Sequence, residues 1–191
     1  NLISGLGGVR KTEKALEAFR RKAVQAGLPG IHLMAVLWGE HALNISGVDS
    51  VRDFSQKDVV KKLGFDSVSH YQYVHFANVR QDYSRVFMEV EAEWKRIDET
   101  YDVPYFPHVS IGWDNNPRFA DVLDDVMTGN TPGEVKKALQ SAKEFLDCHP
   151  DRVPLVTVNS WNEWTESSYL EPDDRYGYGY LEAIREVFKE R

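Results

Sequence analysis

Residues 153–171 read VPLVTVNSWNEWTESSYLE, and the point where the apolar run of this stretch stops decides how the chain is read. Val153 to Asn159 is short and rich in valine, the composition of a buried strand. Directly after it, Glu163, Glu166 and Glu171 stand among Trp161, Trp164 and Tyr169. Within a strand, residues three apart face opposite sides, so Glu163 and Glu166 would be separated there. If the strand ends near Ser160 and the chain then turns helically, the same spacing brings both carboxylates to one face. Two close carboxylates ionise unequally, which makes an acid and a base available at one pH. Glycosidic bond cleavage uses that division of labour. A bare ExxE spacing also occurs in solvent-exposed acidic turns; the strand-end position and the flanking tryptophans favour a site.

The rest of the chain alternates helix and strand. Leu16, Phe19 and Ala23 lie on one helical face between Thr12 and Ala26, with Gly27 as a stop. Residues 30–39, GIHLMAVLWG, form an apolar run that predicts a strand ending at Trp38. Ser55 and Gly64 bound a short helix. A second strand is expected within residues 65–76, FDSVSHYQYVHF. Val86, Val90, Trp94, Ile97 and Tyr101 then recur at helical spacing. A third strand is expected within residues 103–118, VPYFPHVSIGWDNNPR. Thr131, Pro132 and Glu134 supply the cap, first turn and capping box of the next helix. The fourth strand is the valine run, and a last helix is expected to bury Leu181, Ile184 and Phe188.

Four strands separated by helices predict parallel βα units with right-handed crossovers. The expected fold class is α/β, either a small open sheet or half of a (β/α)8 barrel. A complete barrel needs about 250 residues, and this chain has 191, beginning with Asn1 rather than Met. The chain is therefore read as a single α/β domain too short to be a complete barrel, with the open sheet and the half-barrel both standing. A half-barrel leaves strand edges open, so the other half is expected from a missing N-terminal segment or from a homo-oligomeric partner.

A net charge of −7 argues against nucleic acid as a partner, and the Arg20-Arg21-Lys22 run reads as a solvated helix face. No apolar stretch has the length needed to span a membrane. The single cysteine, Cys148, excludes an internal disulfide framework and a cysteine-built zinc site. His70 and His75 share no helical face and lack a nearby third ligand, so no metal is expected. Asn44-Ile45-Ser46 matches a glycosylation acceptor.

In parallel α/β folds, chemistry collects at the carboxyl ends of the strands. Those ends carry Trp38, Gly39 and Glu40; His70, Tyr71, Tyr73 and His75; Trp113, Asp114, Asn115 and Arg118; and finally Asn159, Trp161, Asn162, Glu163, Trp164 and Glu166. Each is aromatic plus polar, the material of a sugar site. Trp38, Tyr71, Tyr73, Trp113, Asp114, Arg118, Asn162, Trp164 and Glu171 are accordingly expected to contact a carbohydrate substrate. Tyr73, Trp113 and Trp164 are expected to line one cleft with the glutamates. Two readings stand for Glu171, a ligand for a sugar hydroxyl or a brace for the loop before the last helix. Two also stand for Asp114 and Arg118, an ion pair holding Trp113 at the mouth or a purely structural loop pair.

Residues 159–173, NSWNEWTESSYLEPD, followed by YGYGYLEA at 176–183, resemble the glycoside hydrolase family 99-like and WbsX-type proteins. FPHVSIGWDNNPR, at 106–118, is similar to the G-W-D-N-x-P-R segment of the WbsX-type members. The resemblance implies a (β/α)8 barrel with this chain as its C-terminal half. It implies that Glu163 is the base acting on the substrate 2-hydroxyl, forming a 1,2-anhydro sugar. It makes Glu166 the general acid, which protonates the leaving oxygen and then assists water. Net retention follows, and no metal or cofactor is required. The sequence departs from the related mannosidases, which have a His-Glu-Gly step at Thr165-Glu166-Ser167. The resemblance implies a carbohydrate-active enzyme, in the first place a glycoside hydrolase. A glycosyl-transferring enzyme of surface-polysaccharide assembly and a non-catalytic carbohydrate-binding module stand as alternatives.

Overall fold

The computed structural model describes residues 2–38 and 55–189, so Gly39, Glu40 and the Asn44-Ile45-Ser46 triplet lie outside the described residues. The chain divides into two compact units, Asn1–His70 with Ile97–Tyr105, and Tyr71–Arg96 with Phe106–Arg191. The fold class is mixed α/β with small parallel sheets.

In the first unit, α1 (Leu2–Gly5) and α2 (Val9–Gln25) precede β1 (Met34–Leu37), α3 (Gln56–Lys62) and β2 (Ser67–His70). Leu16 of α2 packs with Ile3, Val9, Val59 and Leu63, and Ala23 is buried as its spacing requires. Phe19, expected on the same face, is 54% exposed. It stands at the margin of the stripe formed by Val9, Thr12, Leu16 and Ala23, so the helix turns it outward. Arg20 is not a solvated charge. Its guanidinium donates to the carbonyls of Ile31 (3.1 Å) and Gly64 (2.6 Å) and to Asp66 Oδ2 (2.8 Å), which also accepts from Leu33 N (2.7 Å). These bonds gather the segments that lead into β1 and β2. The two strands then pair in parallel, from Met34 opposite Ser67 to Leu37 opposite His70. Ser55 and Asp58 form a capping box on α3, and Gly64, at φ 67, takes the left-handed turn past its end. A further parallel bridge joins Val68 to Tyr105.

In the second unit, β3 (His108–Ser110) and β4 (Thr157–Asn159) pair in parallel, His108 opposite Thr157. Each parallel pair thus joins strands that follow one another in the chain. Helix α4 (Tyr83–Thr100) belongs to this unit through Arg96. Its Tyr83, Phe87 and Trp94 rings form an aromatic core with Tyr73 and Phe145. The Tyr83 hydroxyl donates to the Ser110 carbonyl (2.8 Å), tying this core to the end of β3.

Helix α5 (Pro132–Asp147) starts under the Thr131 cap, whose side chain accepts from Glu134 N (3.3 Å). The reciprocal half of the expected capping box is replaced by an ion pair between Glu134 and Lys137 (2.6 Å), one turn on. Helix α6 (Gly179–Phe188) buries Tyr180 and Ala183. Leu181 and Ile184 are only half-buried and Phe188 is exposed, against expectation. The buried stripe begins one residue earlier because Tyr180 turns inward and donates its hydroxyl to the Asn130 carbonyl (2.5 Å). The short strands β5 (Asn162–Glu163) and β6 (Ser168–Tyr169) pair antiparallel.

Replacing Thr131 by Ala removes the cap from α5 and is expected to cost about 1 kcal/mol. For a chain of this size that lowers the melting midpoint by about 2–4 °C. Calorimetry of the variant checks this, and an unchanged midpoint would show that the cap contributes nothing.

Candidate active site

Beyond Asn159 the chain builds the site as a small antiparallel ribbon. β5 and β6 are its arms, and Trp164–Glu166 between them form one 3₁₀ turn, closed by Ser167 at φ 50. A 3₁₀ turn holds three residues, so side chains three apart eclipse. Glu163, at the cap of the turn, and Glu166, in it, therefore project together. The ribbon approaches the end of β3 closely: a Cβ on Gly112 would stand 2.6 Å from the Ser167 carbonyl oxygen. The Asp114 backbone N–H donates to the Glu166 carbonyl (2.9 Å) at the same approach.

The two carboxylates face a guanidinium. Arg118 Nη1 donates to Glu166 Oε1 (2.6 Å) and Nη2 to Glu163 Oε1 (2.8 Å). Arg118 Nε donates to Thr165 Oγ1 (2.9 Å), which in turn donates to Glu163 Oε1 (3.0 Å). The expectation of carboxylate set against carboxylate is replaced by two carboxylates joined through a cation. The suggested Asp114–Arg118 ion pair does not form. Asp114 Oδ1 instead accepts from Asn116 N (2.9 Å) and Nδ2 (2.7 Å), shaping the turn that delivers Arg118.

Glu166 is the deeper of the pair, its side chain 10% exposed against 40% for Glu163. Its Oε2 accepts from Gln72 Nε2 (3.2 Å), and the same amide donates to Asn159 Oδ1 (2.5 Å). Ser168 Oγ also donates to Asn159 Oδ1 (2.6 Å). Tyr71 stacks on His75 with ring centroids 5.7 Å apart. Burial, with Glu166 and then Glu163 nearby, pushes the Tyr71 hydroxyl up.

Trp164 lies exposed with its ring stacked on Tyr169, centroids 3.7 Å apart, and its Nε1 donates to Glu171 Oε2 (2.6 Å). Glu171 is therefore a brace for Trp164 in this structure. Asn162 is exposed on β5, and Trp113 is half-buried. Tyr73 does not join Trp113 and Trp164 in a cleft. It is fully buried among Tyr83, Phe87 and His108, because the 3₁₀ turn over Tyr73–His75 folds it back into the core. Trp38 is half-exposed and belongs to the first unit, past the end of β1. Gln72, Thr165 and Ser168 are the participants that sequence reading missed. Gln72 had a usable signal, its position two residues past β2 between two tyrosines.

The profile of the family described as "Glycosyltransferase WbsX" matches residues 6–184. The chain belongs to the WbsX family. Two relatives, both called uncharacterized protein WxcX and both from Xanthomonas campestris pv. campestris, are 35% identical to it over 87 residues. That stretch is 45% of this chain and 12% of each relative's length, so this WbsX-family chain matches a small part of them. The family profile covers residues 106–118 and 159–183, and with them the whole ribbon that carries the glutamates.

Among the described residues no group of three or more His, Cys, Asp or Glu is placed to hold a metal ion, and no helix is long and apolar enough to cross a membrane.

His75 gives the WbsX-family site a pH signature. Burial pulls its imidazole below the ordinary histidine range, while the nearby Glu166 carboxylate works the other way. Unfolded histidine titrates near about 6.5, so on acidification the unfolded chain takes up this proton before the folded one. The His75 share of stability is fully present above that value and is lost as pH falls toward the folded value. The expected outcome is a smaller loss of stability in His75→Phe than in the parent, read by urea unfolding at about pH 7.5 and about pH 5.5. Equal losses in the two proteins would contradict it.

Proposed function

We propose that this chain carries the catalytic end of a carbohydrate-active enzyme that cleaves glycosidic bonds in a polysaccharide or glycan, with Glu163 as base and Glu166 as acid. One observation carries the reading. A carboxylate at the cap of one 3₁₀ turn and another within it are joined through one guanidinium, and the same turn presents an exposed tryptophan.

The two environments suit two roles. Glu163 is the more exposed, and its Oε2 takes no hydrogen bond among the described residues, so it is available to a substrate hydroxyl. Glu166 lies deeper, with Gln72 and Arg118 fixing its orientation. A carboxyl group offers more lone-pair sites than these two bonds use, which leaves room for the proton it would deliver. In the proposed reaction, Glu163 takes the proton of the sugar 2-hydroxyl as that oxygen attacks the anomeric carbon. Glu166 protonates the departing glycosidic oxygen, and a 1,2-anhydro sugar results. Water then opens the ring, losing its proton to Glu166, while Glu163 returns a proton to the 2-oxygen. The anomeric configuration is retained.

Trp164 supports a sugar ligand. Tyr169 covers one face of the indole and Glu171 fixes its N–H, so the ring is held as a platform. The parallel pairs β1–β2 and β3–β4, each of successive strands, suit the C-terminal half of a (β/α)8 barrel. The remaining strands would come from residues outside this chain or from a second copy. The family description favours a second reading, glycosyl transfer to an acceptor hydroxyl in polysaccharide assembly, for which the same acid and base would serve.

Gln at either Glu163 or Glu166 keeps size and hydrogen bonding but removes proton transfer, worth roughly 10²–10⁴-fold in rate. Turnover of a polysaccharide panel by the full-length protein is expected to fall by that factor, with binding retained in calorimetry. Binding without any turnover in the wild type would sink the enzyme reading. Turnover only with an activated sugar donor would select transfer.

A further inference from the structure

We propose that Arg118 is the positioning residue of the site, one planar group that sets the orientation of both catalytic carboxylates together. The inference rests on the reading of Glu163 and Glu166 given above and adds how they are held. Nε, Nη1 and Nη2 each donate once, to Thr165, Glu166 and Glu163. A guanidinium is planar and its N–H directions are fixed, so three partners on three nitrogens are fixed relative to one another. Thr165 completes the arrangement, since its hydroxyl receives one of these bonds and donates onward to Glu163. A lysine at this position would keep the charge and lose the fork.

The surrounding bonds separate positioning from simple loop stability. The turn that carries Arg118 is closed without its side chain. Asp114 Oδ1 accepts twice from Asn116, and the Asn116 amide bonds both the N–H and the carbonyl of Leu123. That turn is joined to the ribbon through backbone, Asp114 N to the Glu166 carbonyl. The ribbon closes on itself through β5–β6 pairing and through Leu170 N and Glu171 N, both donating to the Trp161 carbonyl. The fold of both loops is therefore secured before Arg118 makes any contact. The Arg118 side chain is 38% exposed, so solvent screens its charge and geometry is the larger part of what it supplies. What remains for its three bonds is the aim of the two carboxylates. Glu163 depends on them most, because among the described residues its only side-chain partners are Arg118 and Thr165. Glu166 has Gln72 as a second hold.

The test uses Arg118→Lys and Arg118→Gly in the full-length protein, read by thermal unfolding, turnover on the polysaccharide panel and crystal structures. The melting midpoint of Arg118→Lys is expected within about 4 °C of the parent. Its kcat is expected to fall about 10²-fold, the cost of a small misplacement of reacting groups, with KM little changed. Guanidinium ion at non-denaturing concentration is expected to restore turnover to Arg118→Gly, which a merely structural role would not produce. Wild-type turnover in both variants would overturn the proposal, as would a loss that guanidinium does not relieve. If the wild-type protein turns over nothing on the panel, the glycosidic reading fails and the crystal structures decide this one separately. Glu163 displaced or in several rotamers in Arg118→Lys upholds the positioning role, and both carboxylates unmoved overturns it.

Discussion

Asn159 ends β4 inside the protein, where its side-chain amide and its backbone carbonyl have almost no water to turn to. Buried polar groups cost free energy unless they are bonded, and the way Asn159 meets that demand organises the second unit. Its Oδ1 accepts from Gln72, its carbonyl accepts from Ile111 N (3.0 Å), and the single Ser168 hydroxyl hydrogen is shared between that Oδ1 and that carbonyl. Three separate pieces of chain are brought to one residue in this way: the segment after β2, the end of β3 and the returning arm of the ribbon. Ser160 continues the arrangement, donating to the Ser168 carbonyl and accepting from Glu163 N. The turn between β5 and β6 is thus fixed from below by amide and hydroxyl bonds before any charge is considered.

Charge enters above that floor, and its arrangement follows a gradient of burial. The deeper carboxylate, Glu166, has a neutral amide as well as the guanidinium, whereas the outer one has the guanidinium and a hydroxyl. Each carboxylate accepts two bonds; those to Glu166 engage both of its oxygens, whereas both to Glu163 fall on Oε1. Two carboxylates without the arginine would repel one another across the turn. With it they form a unit whose orientation is set by a rigid fork rather than by long-range attraction.

Much of the helix and strand order was legible in the sequence, because valine runs, Thr131, Ser55 and Gly64 act locally. Which side chains entered the site was less so. Tyr73 lies three residues past β2, where an irregular turn follows, and neither period 2 nor period 3.6 applies there. A tyrosine in such a place reads the same whether it faces the core or a cleft. Gln72 was passed over because a lone glutamine is usually a surface residue; only tertiary structure brings Glu166 and Asn159 to it from about ninety residues away. Sequence proximity suggests Asp114 as a partner of Arg118, and the structure pairs Arg118 with Glu163 and Glu166 instead. The turn consumed Asp114 for its own N–H groups, as short acidic side chains do. Phe19 and Phe188 failed for a plainer reason, since helix margins expose large apolar residues without penalty large enough to forbid it.

The motif after the ribbon shows how architecture and chemistry divide one acidic, aromatic stretch. Glu171 is committed to the Trp164 indole. Asp173 is committed to the backbone N–H groups of Arg175 and Tyr176 and to the Tyr169 hydroxyl, which burial and then Asp173 push up to about 12. Tyr169 in turn carries Trp164 on its face, and Tyr180 ties α6 to the Asn130 carbonyl. Each of these acids accepts from a group whose position it fixes within the loop. Glu163 and Glu166 differ, since apart from Gln72 their partners are each other's neighbours, Arg118 and Thr165. A carboxylate used to hold a loop is answered by the backbone or by a ring; these two are answered by a side-chain cation, in a turn already closed by other bonds. That difference, more than their presence beside tryptophans, separates the pair from the bracing acids around it.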